Sequence, residues 1–245
     1  MSKIDYMKSA DLEKNFVNGL SRSELLPDTF DEVKIYKCAL KAGEVFDVKL
    51  YSQTDKMQLF FFLNAGGYIA LPKQAFNITG KAVFVPNFDK EKVEFHAGNE
   101  DLEFLHFIGE ISEYDKMRLA NIHIVLPRFR LLDDAWEYTE GFTGDAGSNV
   151  KSHMVIEHRF LGRYSMGWNC GKGPTFIGEH KHPDLEQWYY IFQGSEFTYF
   201  AGDEEIRVEG GDITHIGMDV PHGSKANEDQ YLNYIWFELA TDGYK

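Results

Sequence analysis

Two pairs of look-alike segments constrain this 245-residue chain more than any other feature. QLFFFLNAGG (58–67) lies over QWYYIFQGSE (187–196) at an offset of 129, and GKAVFVPN (80–87) lies over GDITHIGM (211–218) at an offset of 131. In each copy a strand-length aromatic run ends in a glycine turn, and a second short strand follows. A period of this size is too long for a solenoid and implies two copies of one domain.

Short strands are expected throughout both copies. In the first they are Val33–Leu40, Val45–Leu50, Gln58–Leu63, Tyr68–Leu71, Lys81–Pro86 and Glu103–Gly109. In the second they are Arg163–Asn169, Thr175–Glu179, Gln187–Phe192, Glu196–Ala201, Glu204–Val208, Asp212–Ile216 and Tyr231–Glu238. Turn signals such as Asn64-Ala65-Gly66-Gly67 and Asn77-Ile78-Thr79-Gly80 separate them. Strands this short and this regularly punctuated predict an all-β barrel or sandwich in each copy. Leu12, Phe16 and Leu20 recur at helical spacing, so residues 9–25 are expected to form a short helix with Ser9 or Asp11 as its N-cap. Between the copies Ala120–Val125 reads as a strand and Thr143–Asn149 as an exposed loop. The expected division is an N-terminal helical segment over 1–30, a first barrel over 31–112, a connector over 113–150 and a second barrel over 151–245.

Charge and cysteine content narrow the function. The net charge of −14 is spread along the chain with no Lys/Arg run, so no nucleic-acid partner is expected. Cys38 and Cys170 are too few and too far apart for a zinc knuckle or a redox dithiol, and two reduced thiols in a cytoplasmic protein are expected. The longest apolar run, Leu59–Leu63, is too short to cross a bilayer, and residues 1–16 have no apolar signal core. No membrane partner is expected.

The chemistry concentrates in GEHKHPDLEQWYYIFQG (178–194) and GGDITHIGMDVPHGSKAN (210–227). Residues two apart on a strand share a face, so His180 and His182 can look into the same interior. Gln187 opens the next aromatic strand and shares its face with Tyr189 and Ile191; His222 follows Pro221 after the strand at 212–216. Three imidazoles and an amide oxygen suit one divalent transition ion, with positions left for water or substrate. Tyr189, Tyr199 and Trp236 read first as core and second as walls of a substrate pocket. His215 reads as a core histidine or a proton relay, whereas His96, His106, His123, His153 and His158 show no ligand spacing.

These two stretches resemble the paired motifs of the cupin superfamily. The first motif is G-x5-H-x-H, three or four residues, E, six residues, G; His180, His182, Gln187 and Gly194 fit its longer form. The second is G-x5-P-x-G-x2-H-x3-N; Gly211, Asp212 and His222 fit it, with Asn227 one place late. Gln187 stands where most cupins have Glu, and Glu186 is the alternative fourth ligand in the shorter form. Gly217 and Asp219 replace the second motif's proline and glycine. The resemblance implies two tandem jelly-roll (double-stranded β-helix) barrels, with one Zn, Mn, Fe or Ni ion in the second.

In the first copy Tyr51, Gln53 and Gln58 align with His180, His182 and Gln187, and Glu91 or Lys92 falls near His222. That set cannot hold a borderline metal, so the first barrel is expected to be degenerate. By resemblance to bicupin uronate isomerases, the first expectation is a metal-dependent sugar or uronate isomerase or related carbohydrate-modifying enzyme, with Glu179, Glu186 or His215 as base. The alternatives are an Fe(II) cupin dioxygenase and a non-catalytic cupin that binds a small ligand. A small-molecule substrate follows from the resemblance, and a homodimer is a family-level expectation.

Overall fold

The computed structural model describes residues 3–9 and 12–244. In chain order the elements are β1 (Asp5–Lys8), β2 (Leu20–Leu25), β3 (Val33–Leu40), β4 (Val45–Asp47), β5 (Lys56–Phe62), β6 (Gly67–Leu71), β7 (Gln74–Ile78), β8 (Ala82–Val85), β9 (Glu94–Ala97), β10 (Leu102–Glu110), α1 (Glu113–Asn121) and β11 (Arg128–Leu131). Then follow β12 (Trp136–Tyr138), β13 (Lys151–Leu161), β14 (Tyr164–Lys172), β15 (Thr175–His180), β16 (Leu185–Ile191), β17 (Glu196–Ala201), β18 (Glu204–Glu209), β19 (Asp212–Ile216), β20 (His222–Ala226) and β21 (Tyr231–Ala240). The chain divides into two compact units. One spans Leu12–Ala135; the other runs from Trp136 onward and includes the N-terminal segment that carries β1.

The repeat appears in the strand order. In the N-terminal unit one sheet runs β11-β8-β5-β10-β3-β2 and the other β4-β9-β6-β7. In the C-terminal unit the corresponding paths are β1-β19-β16-β21-β14-β13-β12 and β15-β20-β17-β18, bridged by the pair Glu196/Tyr231. Each unit is thus the same jelly roll, and the fold is all-β as expected. The interiors follow from the period-2 alternation of the aromatic strands. Phe60 and Phe62 of β5 and Phe104 of β10 face the N-terminal core, where Phe60 meets Phe95 edge-to-face at 4.8 Å. Tyr189, Ile191 and Tyr234 occupy the same positions in the C-terminal core, where Trp236 joins them.

Two local expectations are corrected. The helix expected over 9–25 is absent: residues 12–16 have no regular structure and Leu20–Leu25 is β2, paired along β3. Ser9 donates to the Gly211 carbonyl instead of capping a helix, and Asp11 lies outside the described residues. Pairing with an existing strand overrides a weak helical period because a short isolated helix is marginal. Ala120–Val125 is not a strand either, since Ala120 and Asn121 end α1. That helix has a complete capping box between Ser112 and Asp115. Among the described residues no helix is long and apolar enough to cross a membrane.

His106 in β10 is a buried histidine that stacks on Phe60 at 4.3 Å and contacts Gln58 Oε1 at 3.1 Å. Burial, aided by the nearby Arg22 charge, lowers its pKa from 6.5 to about 3. A depressed histidine pKa means that the unfolded chain binds the proton more readily. Its contribution to stability is therefore complete above about pH 6.5 and is lost as pH falls toward 3. The urea midpoint should fall between pH 7 and pH 5 by more in the wild type than in His106→Gln, followed by circular dichroism. An equal fall in both would show that His106 does not carry this acid sensitivity.

Candidate metal centre

β15 and β20 are antiparallel neighbours, and their register puts His180 opposite His222. A bulge between Ile177 and His180 is needed to reach that pairing. His182 lies two residues beyond the end of β15, in the segment leading to β16, so it arrives from a loop and not from the strand. Asp219 N–H holds that loop by donating to the His182 carbonyl at 2.9 Å. Asp219 itself sits at φ 60°, the left-handed conformation that the glycine of the second motif would adopt. Aspartate tolerates this region better than most side chains, so the turn survives the loss of the glycine.

The ring nitrogens of His180, His182 and His222 come within 4.8 Å of one another. The Nδ1 of His180 lies 2.8 Å from the Gly178 carbonyl and that of His222 lies 2.8 Å from the Val220 carbonyl. A carbonyl only accepts, so each Nδ1 carries the proton and each Nε2 keeps its lone pair. Burial pushes His222 down to about 3 and His182 to about 4, with His180 adding repulsion, and lowers His180 as well. The three rings are therefore neutral at ordinary pH. The His222 Nε2 is buried and has no hydrogen-bond partner among the described residues. An unsatisfied buried polar atom costs about 1–3 kcal/mol, and a metal ion bound to that lone pair would remove the cost. The donor set thus fits a divalent transition ion.

His180 and His182 line a cavity of about 180 Å³, and the buried His222 ring lies behind them, 4.3 Å from that of His180. Phe142 forms one wall, stacked on His180 at a centroid distance of 3.7 Å, with its carbonyl held by Gly178 N–H at 2.8 Å. Trp236 forms another, and its indole lies across β14 where a Cβ on Gly167 would overlap it. Gln187 and Tyr189 also line the cavity, whereas Tyr199, 1% exposed, belongs to the core beneath it.

Alternation along β16 separates the two candidate fourth ligands. Gln187 shares the interior face with Tyr189 and Ile191, while Glu186 is on the other face and is not a lining residue. Glu186 Oε2 instead meets His215 Nε2 at 2.8 Å, and His215 Nδ1 meets Asp5 of β1 at 3.0 Å. Glu179 is exposed and does not line the cavity. None of the three residues expected to act as base lies in the cavity, because all three alternate to the outer side of their strands. The carboxylates there are Glu238 and Glu140.

Glu238 is the main residue that the sequence reading missed. It accepts from Gln187 Nε2 at 2.6 Å and from Ser165 Oγ at 3.2 Å. Desolvation raises its pKa to about 7 despite those bonds. Burial likewise raises Glu140. The signal was present: Glu238 follows Trp236 by two residues on β21 and so shares its inward face. His158, read as structural or surface, also lines the cavity, with Nε2 3.8 Å from Glu238 and its ring stacked on Tyr244 at 4.6 Å.

Among the described residues the N-terminal unit has no counterpart of the histidine cluster. Val48 bonds to the Val93 carbonyl at the place where His180 faces His222. These valines, and not Tyr51 with Glu91 or Lys92, are the structural equivalents. Gln58 does keep the position of Gln187, two residues into its strand.

No family model matches the sequence, and no curated protein does. Solved structures do resemble it. A putative glyoxylate-induced protein from Pseudomonas aeruginosa aligns with TM-score 0.81 at 9% identity, covering 100% of this chain and 92% of that one. Oxalate decarboxylase from Lactobacillus farciminis, solved as a formate complex, aligns with TM-score 0.72 at 12% identity over 96% of this chain and 86% of its own. A cupin 2 conserved barrel domain protein from Leptotrichia buccalis gives TM-score 0.63 at 14% identity, covering 96% of both chains. With the same jelly roll repeated in both halves, this chain has the fold of the cupin superfamily in its two-barrel form.

Proposed function

We propose that the C-terminal cavity is the active site of an enzyme that uses one divalent metal ion, Zn, Mn, Fe or Ni, to isomerise a small sugar or uronate. His180, His182 and His222 would hold the ion, with Gln187 Oε1 as fourth ligand. The observation that carries the reading is the placement of Glu238: a buried carboxyl in the same cavity as His180 and His182, bonded to Gln187. An isomerisation of this type moves one proton between adjacent carbons and needs no oxidant. It requires one group that removes the proton and returns it.

The bound ion would supply Lewis acidity, polarising adjacent substrate oxygens. Glu238 takes the proton from the hydroxyl-bearing carbon beside the polarised carbonyl and delivers it to the former carbonyl carbon, while the hydroxyl proton passes to the former carbonyl oxygen. Gln187 and Ser165 orient its two oxygens, so the carboxyl keeps one geometry through the transfer. Phe142 and Trp236 exclude water from that side of the cavity. The aromatic walls also accommodate an apolar substrate, which favours the Fe(II) dioxygenase as the second reading.

Two experiments test the proposal. Protein purified without chelator should carry one Zn, Mn, Fe or Ni ion per chain by elemental analysis, and His182→Ala should lose most of it while keeping its circular dichroism spectrum, because His182 lies on a loop outside the sheets. Full metal content in His182→Ala would remove the histidine site. The second assay follows uronates and keto-sugars by NMR, with oxalate and glyoxylate added because two structural neighbours are named for them. Glu238→Gln should keep the metal and lower kcat by about 100-fold or more, the scale of a general base. Retained turnover in that variant would remove Glu238 as base; oxygen uptake with an aromatic substrate would favour the dioxygenase, and binding without turnover a ligand-binding cupin.

A further inference from the structure

The N-terminal unit keeps a cavity in the position of the metal cavity but gives it a different chemistry. Cys38 pairs with Phe104 as Asn169 pairs with Tyr234, and His106 follows Phe104 as Trp236 follows Tyr234. Cys38, Val48, Phe104 and His106 surround about 180 Å³. The charged residues that line it, Arg22 and Lys49, are both cations, and no carboxylate lines it. Among the described residues neither forms an ion pair, although the chain has 39 acidic and 25 basic residues. Arg22 is held by stacking, its guanidinium carbon 3.4 Å from the Tyr36 ring centre, and Lys49 Nζ lies 5.2 Å from that of Tyr51. Stacking fixes a guanidinium while leaving edge N–H donors available, one of which Arg22 directs at Cys38 inside the cavity. Leu20, Phe46, Val48 and Phe104 make the rest of the lining largely apolar.

We propose that this cavity binds a small organic monocarboxylate with a compact apolar body. The carboxylate sits between Arg22 and Lys49, where the Arg fork matches its two oxygens, and the body lies against Phe46 and Phe104. Neutral His106, whose Nε2 meets Gln58 Oε1 at 3.1 Å, closes one side without adding charge. The inference rests on the lining alone and stands whether or not the C-terminal cavity is an isomerase.

Isothermal titration calorimetry on the full chain, with benzoate and isovalerate as probes, tests this. Saturable binding is expected in the wild type and equally in His182→Ala, which separates this cavity from the metal site. Arg22→Gln and Lys49→Gln should each weaken it, Arg22→Gln by about tenfold, the scale of a lost charge-assisted hydrogen bond. Sulfate should bind more weakly than either probe because it has no apolar body. The proposal is overturned if neither probe binds saturably through the millimolar range, if binding disappears in His182→Ala, or if both cation variants bind as the wild type does. Should Arg22→Gln lose its circular dichroism spectrum, Lys49→Gln at the cavity mouth decides.

Discussion

β15 and β20 meet in a register that sets His180 against His222, and the rest of the C-terminal site is arranged around that pair. Antiparallel pairing fixes only backbone positions. The lone pairs are aimed by a second, local device, in which each ring returns its Nδ1 proton to the carbonyl two residues before it, Gly178 or Val220. The same bond thereby selects the tautomer and limits ring rotation, with no other side chain required. His182 lacks the strand but gains a tether through the Asp219 amide. One sheet edge, two carbonyls and one turn amide therefore bring three imidazoles together.

The electrostatics of the cavity follow from the pair behind the histidines. A glutamine at position 187 brings no formal charge, which leaves a bound cation more electrophilic than a glutamate ligand would. Glu238 lies directly behind it, 2.6 Å from the amide nitrogen. Its negative charge polarises the amide toward its oxygen and returns part of what the glutamine withholds, in a form that varies with the protonation of Glu238. Desolvation is what makes that protonation variable near neutrality, since the hydrogen bonds from Gln187 and Ser165 act in the opposite direction.

Much of the architecture was legible because β-structure writes itself as alternation. The strands at 33–40, 196–201 and 212–216 match their expected limits, and the repeat offset of 129 carries β5 onto β16 at both ends. The strands that escaped, such as Leu20–Leu25 and Glu94–Ala97, are short and polar and owe their conformation to the neighbours they pair with. The histidine cluster was legible by spacing, but the buried carboxyl beside it was not. Nearness in sequence favoured Glu179 and Glu186, whereas the pleat turns each of them away and brings Glu238 in from a strand some fifty residues on. Alignment by the aromatic strands also slipped at the first barrel's ligand positions, because Gln58 follows Val48 by ten residues whereas Gln187 follows His180 by seven.

The two barrels separate what the fold needs from what the site needs. Both keep the strand order, an inward aromatic array and a glutamine in the second strand of the site, Gln58 or Gln187. Val48 and Val93 in one barrel occupy the places of His180 and His222 in the other, the valines in regular register and the histidines beyond a bulge. Burying valine is favourable, whereas burying a neutral histidine with an unpaired nitrogen is not. The N-terminal barrel therefore shows the solution that packing alone prefers at these positions. The C-terminal barrel departs from it at two strand positions and one loop, and keeps an unpaired nitrogen on His222 that packing does not require. The valines avoid that cost at the same two positions, and a cation on the His222 lone pair would remove it.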